Sequence, residues 1–198
     1  MLLEDRAIIE RLLDKELKQR IIITPLIDPV KQIGPSSVDV RLGGNFTVPT
    51  TSRLGSIDPD KEELVKGYTS AVDIGHNEAF FLHPGEFVLA STMEYIRVPR
   101  DLACRIEGRS SWGRLGLLVH ATAGFVDPGF SGNLTFELFN AGRLPIQLKP
   151  GMRMAQLCFF ELKDFPNVAY DQRPESKYLN SLSAVGSRVY RDKLPTTH

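Results

Sequence analysis

The amino-acid sequence predicts a mainly β domain of the sandwich, barrel or jelly-roll kind, led by one helix. Three observations point there. Short alternating or β-branched runs recur along most of the chain, and Gly, Pro, Asn and Asp clusters separate them. Nor is there the long alternation of strand and helix patterns that builds a doubly wound parallel sheet. At 198 residues, 42% hydrophobic and 24% charged, the chain has the size of one domain, at most with a small appendage, and enough apolar material for a full core.

Residues 4–19, EDRAIIERLLDKELKQ, predict the helix. Ile8, Ile9, Leu12, Leu13 and Leu17 fall on one stripe, acidic residues lead, and basic residues close it, as the helix dipole favours. Strand patterns follow at Ile21–Ile23, Ser37–Leu42, Ala79–Leu82, Phe87–Ser91, Tyr95–Val98, Leu134–Leu138, Ile146–Leu148 and Met154–Phe160. Residues 50–77 are polar and aperiodic and read as a long surface excursion. Ser111–Val119 is a candidate short internal helix. The expected organisation is a β domain with its helix over 1–163, a C-terminal arm over 164–193 and a disordered tail over 194–198. The arm is too polar to add much to a core, yet Tyr170, Tyr178 and Tyr190 give it groups that pack, as in a lid over a ligand.

The totals exclude several functions. Lys plus Arg equals Asp plus Glu, 24 each, so the chain-wide basic field of a nucleic-acid binder is missing. Cys104 and Cys158 stand far apart with no CxxC, which disfavours a disulfide scaffold and fits a reducing cytosol. No apolar run reaches membrane-spanning length, and the N-terminus is acidic where a signal peptide is basic. A cytoplasmic protein without membrane or nucleic-acid partners is the expectation.

The chemistry concentrates between Arg105 and Asn140. Arg105, Arg109, Arg114 and the pair Ser110-Ser111 fall within ten residues, offering forked donors, hydroxyls and, at a helix start, free N–H groups for a phosphate chain. The same residues also suit a capped helix with solvent-facing arginines. Asp127 sits in a tight Asp127-Pro128-Gly129 turn, where it can accept from a sugar hydroxyl or orient a water, or simply close the turn. Glu137 lies in an apolar strand, sharing a face with Thr135 and Phe139 while Leu134 and Phe136 take the other. A carboxylate flanked by Phe and Leu risks desolvation and can take a proton and return it; on a wet sheet face it does nothing special. His120, after Leu117-Leu118-Val119, reads as a satisfied core histidine or as one that backs a site residue. The H-x-E and P-C-x-x-C elements of zinc base deaminases are missing, the four histidines make no ligand-spaced pair, and there is neither GxxxxGK[ST] nor GxGxxG.

Glu107–Phe139, Leu148–Phe159 (LKPGMRMAQLCF) and Tyr170–Tyr178 (YDQRPESKY) together resemble the trimeric dUTPase-like superfamily and, within it, the dCTP deaminases. Glu137 and the arm Tyr170…Ser176-Lys177-Tyr178 favour a deaminase over a plain dUTPase, which typically lacks that glutamate and ends in a glycine-rich arm. The resemblance implies a distorted β-barrel or jelly roll in a homotrimer with active sites shared between subunits. It implies that Arg109, Ser110, Ser111 and Arg114 lie around a triphosphate, with Gln156, Tyr170 and Lys177 completing its binding. Asp127 would hold the deoxyribose 3′-hydroxyl, the backbone at Thr135, Phe136 and Glu137 would read the cytosine edge, and Glu137 would be the catalytic base. Mg²⁺ would ride on the phosphates, with no metal held by the protein alone and no zinc, and dTTP is a possible feedback inhibitor.

The implied reaction is hydrolytic deamination of dCTP at carbon-4. Gly124-Phe125 before Val126-Asp127 resembles the members that go on to dUMP and pyrophosphate, where a small Gly leaves room for a water near the α-phosphate and Asp127 orients it. The alternatives are a deaminase that stops at dUTP, a dUTP diphosphatase without deamination, and a nucleotide-sensing module that turns nothing over. One departure stands out: many deaminases have a glutamine four residues after the arm lysine, where this chain has Ser181, which puts the closing contact of the arm in question.

Overall fold

The computed structural model describes residues 1–50 and 55–192, so the expected 194–198 tail lies outside the described residues. The helices are α1 (Asp5–Leu13), α2 (Pro29–Gln32), α3 (Glu62–Gly67) and α4 (Ser110–Gly113). The strands are β1 (Ile22–Thr24), β2 (Ile33–Gly34), β3 (Ser37–Pro49), β4 (Thr69–Asp73), β5 (Phe80–Leu82) and β6 (Phe87–Arg97), then β7 (Leu102–Gly108), β8 (Leu117–Leu118), β9 (Phe125–Val126), β10 (Ser131–Asn140), β11 (Ile146–Leu148) and β12 (Arg153–Glu161). Ten strands form one antiparallel sheet in the order β8-β10-β6-β3-β12-β7-β9, with β1 added on β6 and β2 and β4 on β3, while β11 and β5 pair separately. The fold is the mainly β one expected.

The sheet curls because its central strands change partners along their length. β3 pairs with β12 through Val38–Arg41 and with β6 through Leu42–Thr47. Around Ala90 of β6, the core residues Phe46 of β3 and Phe136 of β10 stand directly opposite on either side, all three fully buried. Phe80 stacks on Phe46 with centroids 4.6 Å apart. This large-small-large row fills the curve of the sheet, as close packing requires.

Three expectations need correction. The N-terminal helix ends at Leu13, not near residue 19. The Asp14 carboxylate accepts the Glu16 N–H at 2.9 Å, Arg11 Nε donates to the Gln19 carbonyl at 2.8 Å, and the Ile21 N–H donates to the Arg11 carbonyl at 3.0 Å, so the chain folds back into β1. Of the apolar stripe, Ile8 is buried and Leu13 and Leu17 face outward. The internal helix is the single turn α4, after which the chain becomes β8. The polar excursion contains α3 and the edge strand β4, whose pattern of one half-buried valine is too weak to read without its partner β3.

One buried group lies between β3 and β6. Glu94 is fully buried and accepts the Arg41 N–H at 2.8 Å and a Gln32 Nε2–H at 3.2 Å. Burial, outweighing these donors, pushes its carboxyl from an ordinary 4.5 up to about 7. The folded state therefore holds this proton more tightly than the unfolded chain. Its stabilising contribution is complete below the ordinary value of 4.5 and is lost as pH rises through about 7. Urea denaturation at pH 5 and pH 8 is expected to show lower stability at the higher pH, with a flatter dependence in Glu94→Gln.

Candidate active site

β10 carries the most informative side chains. Leu134, Phe136 and Leu138 face the core, and Thr135, Glu137 and Phe139 lie half-buried on the other face, as strand alternation predicts. Glu137 Oε2 accepts from the Thr122 N–H at 3.0 Å and the Thr122 hydroxyl at 3.2 Å. Oε1 makes no hydrogen bond among the described residues. One carboxylate oxygen is thus anchored, and the other carries no such bond.

A cavity of about 710 Å³ lies against this face and is lined by Thr135, Glu137, Asp127, His120, Asn133 and Tyr170, among others. Its size is in the range of small-molecule sites. Asp127 reaches it from the turn after β9, whose closing bond is the Phe130 N–H to the Asp127 carbonyl at 3.1 Å. Its carboxylate makes no hydrogen bond among the described residues, so it is not consumed by the turn. Tyr170 is set beside that turn by its own N–H, which donates to the Pro128 carbonyl at 2.8 Å, and by its ring, 5.8 Å from Phe130. The next residue, Asp171, takes a two-pronged ion pair from Arg100, with Nε–Oδ1 at 3.1 Å and Nη2–Oδ2 at 2.9 Å.

His120 is not the satisfied core histidine that was one of its two expected roles. Both ring nitrogens are buried without a hydrogen-bond partner among the described residues, and the ring lines the cavity. A satisfied core histidine would have a partner. Gly124 backs onto this ring: a Cβ there would come within 3.0 Å of the Ile106 carbonyl and 3.2 Å of His120 Cδ2. A side chain here would press on both neighbours, so the close approach favours glycine, and Phe125 after it is exposed at the cavity wall.

The expected phosphate residues fall elsewhere. Arg109, Ser110, Ser111, Arg114 and Gln156 do not line this cavity in one chain. Ser110, Ser111 and Arg114 are exposed around α4, and no side-chain cap closes that helix. Arg109 Nε sits 3.2 Å from Asp39 Oδ2, and Arg153 Nη1 sits 3.1 Å from the same oxygen. Gln156 stands opposite Asp39 and Glu107 in the sheet. Burial pushes the Asp39 carboxyl up, while Arg109 and Arg153 pull it down. Asp39 and Arg153 were missed because each sits in an ordinary strand pattern and only the β3–β12 ladder brings them together. Lys177 also turns away from the cavity and pairs with Asp192. Phe136 points its side chain into the core, so only its backbone can face a ligand.

The chain matches the family model described as dCTP deaminase-like over residues 2–162. It belongs to the dCTP deaminase-like family. A dUMP-forming dCTP deaminase of Dictyoglomus turgidum is 44% identical over 184 residues, covering 90% of this chain and 94% of that protein. One from Halobacterium salinarum is 44% identical over 193 residues, covering 98% and 97%. A protein of Natronomonas pharaonis named dCTP deaminase is 42% identical over 98% of this chain and 97% of its own length. The crystal structure of 2′-deoxycytidine 5′-triphosphate deaminase from Agrobacterium tumefaciens shares the fold, with a TM-score of 0.60 at 24% identity over 80% of this chain and 47% of that one. Among the described residues of this deaminase-family chain, no three His, Cys, Asp or Glu side chains gather to hold a metal ion, and no helix is long and apolar enough to cross a membrane.

Proposed function

We propose that the protein deaminates dCTP and hydrolyses the triphosphate, releasing ammonia, dUMP and pyrophosphate. The observation that carries this is the meeting of Glu137, Asp127 and Thr135 on one cavity, with one oxygen of Glu137 anchored by Thr122 and the other free of hydrogen bonds among the described residues. Glu137 takes a proton from a water beside carbon-4 of cytosine, the hydroxide adds there, and the proton returns so that ammonia can leave. General acid–base help of this kind supplies roughly 10²- to 10⁴-fold, and positioning supplies much of the remainder. Thr135 and the backbone beside it read the base edge. Asp127 holds the 3′-hydroxyl and orients a second water toward the α-phosphate, past the small Gly124. Mg²⁺ enters on the triphosphate as part of the substrate and neutralises its charge.

The phosphate end is supplied by a second copy of the chain. Arg109, Ser110, Ser111, Arg114 and Gln156 lie outside the cavity holding Glu137, which fits a homotrimer whose sites each combine the base-reading strand of one subunit with the cations of its neighbour. The arm from residue 164 on, with Tyr170 and Lys177, closes over the nucleotide; Lys177 must leave Asp192 to reach a phosphate.

Mixing subunits tests both statements together. Wild-type protein is expected to release ammonia from dCTP, while Glu137→Gln and Arg109→Ala are each nearly inactive. Refolding the two variants as an equal mixture is expected to restore about a quarter of the sites, because each site needs one intact residue from each of two neighbours. No ammonia from the wild type contradicts the deaminase reading; no recovery on mixing contradicts the shared site.

A further inference from the structure

The ladder between β6 and β10 slips just before the catalytic strand segment. Asn133 stands opposite Tyr95, but Thr135 stands opposite Ser91, so Thr92, Met93 and Glu94 together face Leu134 alone. A bulge of this kind re-aims the side chains that follow it. Here the residues that follow are Thr135 and Glu137.

Two polar side chains hold the bulge. The fully buried Thr92 hydroxyl accepts the Leu134 N–H at 3.0 Å and donates to the Glu94 carbonyl at 2.7 Å. The Asn133 side-chain amide donates to the Thr92 carbonyl at 2.8 Å and to the Glu94 carbonyl at 3.2 Å. The Leu134 N–H and the Glu94 carbonyl lie within the slip between β6 and β10, where these side chains supply the partners that the ladder between the two strands does not.

The same place receives the C-terminal arm. The Asn133 N–H donates to the Ser181 carbonyl at 2.7 Å, and the Asn180 N–H donates to the Ser131 carbonyl at 2.7 Å. The Ser131 hydroxyl adds a bond to Asn180 Oδ1 at 2.7 Å. Gly132, at φ +139°, makes this possible, since a Cβ there would lie 2.9 Å from the Ser181 carbonyl oxygen. Ser181 therefore docks through its backbone.

We propose that Thr92 and Asn133 are positioning residues: by holding this bulge they set the aim of Glu137 and join it to the seating of the arm at Ser181. Neither takes part in proton transfer. The proposal rests on the reading of Glu137 as the general base. Thr92→Val keeps the shape and removes the hydroxyl, leaving the Leu134 N–H unpaired. Misplacement of a catalytic group by about 1 Å can cost about 10²-fold, so kcat for ammonia release from dCTP is expected to fall at least about tenfold while KM stays within about threefold. Thr92→Ser, which restores the hydroxyl, is expected to recover most of that loss. Asn133→Ala, at a half-buried position, is expected to speed tryptic cleavage of the arm at Lys177 and Arg188, and it carries the test should Thr92→Val fail to fold.

The two readings fail separately. Wild-type protein that releases no ammonia sinks the deaminase assignment, and the tryptic assay, which needs no turnover, still tests the link between bulge and arm. An active wild type with wild-type kcat in Thr92→Val, or with Thr92→Ser no better than Thr92→Val, overturns the positioning role. A lower melting temperature with kcat and arm cleavage both unchanged overturns it as well.

Discussion

Glu137→Gln is expected to lower kcat for ammonia release from dCTP by about 10²- to 10⁴-fold while leaving nucleotide binding nearly intact, the range spanned by loss of a general base. The amide is close in shape to the carboxylate. Its remaining carbonyl oxygen can still accept from the Thr122 N–H and hydroxyl, which anchor a single oxygen of the native side chain. What the variant loses is the capacity to take a proton from water. Titration calorimetry with dCTP and Mg²⁺ should find an affinity within a few-fold of wild type, and single-turnover kinetics should find the chemical step slowed. Hydrolysis of supplied dUTP, which uses Asp127 instead, should survive better than deamination. A variant that deaminates at the wild-type rate excludes Glu137 as the base.

Phe136→Ala, one residue away, is expected to act in the opposite manner. Phe136 is fully buried and faces Ala90, which in turn faces Phe46 on the next strand. A methyl at the centre of that row cannot expand to fill a missing ring, and the flanking strands are tied by their ladders. Loss of a buried Phe of this kind costs about 3–5 kcal/mol. For a domain of this size that lowers the melting temperature on the order of 10 °C. Differential scanning calorimetry checks it, and the fraction that remains folded should keep a measurable rate. The contrast between neighbours 136 and 137 follows from strand alternation: one side chain serves the core and the next serves the cavity.

Much of this was legible in the sequence, for physical reasons that also mark its limits. Alternation in Leu134–Leu138 is a local signal, and it placed Glu137 on the right face of β10. Turn chemistry at Asp127-Pro128-Gly129 is also local, but it left Asp127 either facing a ligand or closing the turn, and only the tertiary structure puts it at the cavity. The helix was drawn too long because its apolar stripe continues to Leu17, while the chain is turned back by Asp14 and by bonds from Arg11 to Gln19 and Ile21, which periodicity does not register. The core role weighed for His120 came from the apolar run before it, which is typical of a core, and does not hold. Asp39 and Arg153 are 114 residues apart, and only the ladder pairing of β3 with β12 makes them neighbours. The β6–β10 bulge was only hinted at: the strand patterns Phe87–Ser91 and Tyr95–Val98 break at Thr92, Met93 and Glu94, but that the break is a slip within one strand emerges only from the register on both sides.

The most direct test of the central claim is the product balance of the wild-type protein given dCTP and Mg²⁺. Ammonia, nucleotides and pyrophosphate are followed through one time course. Ammonia, dUMP and pyrophosphate rising together in equal amounts, with no build-up of dUTP, is the predicted result. Ammonia with accumulating dUTP would contradict the dUMP-forming assignment built on Gly124 and Asp127, and no ammonia at all would contradict the role given to Glu137.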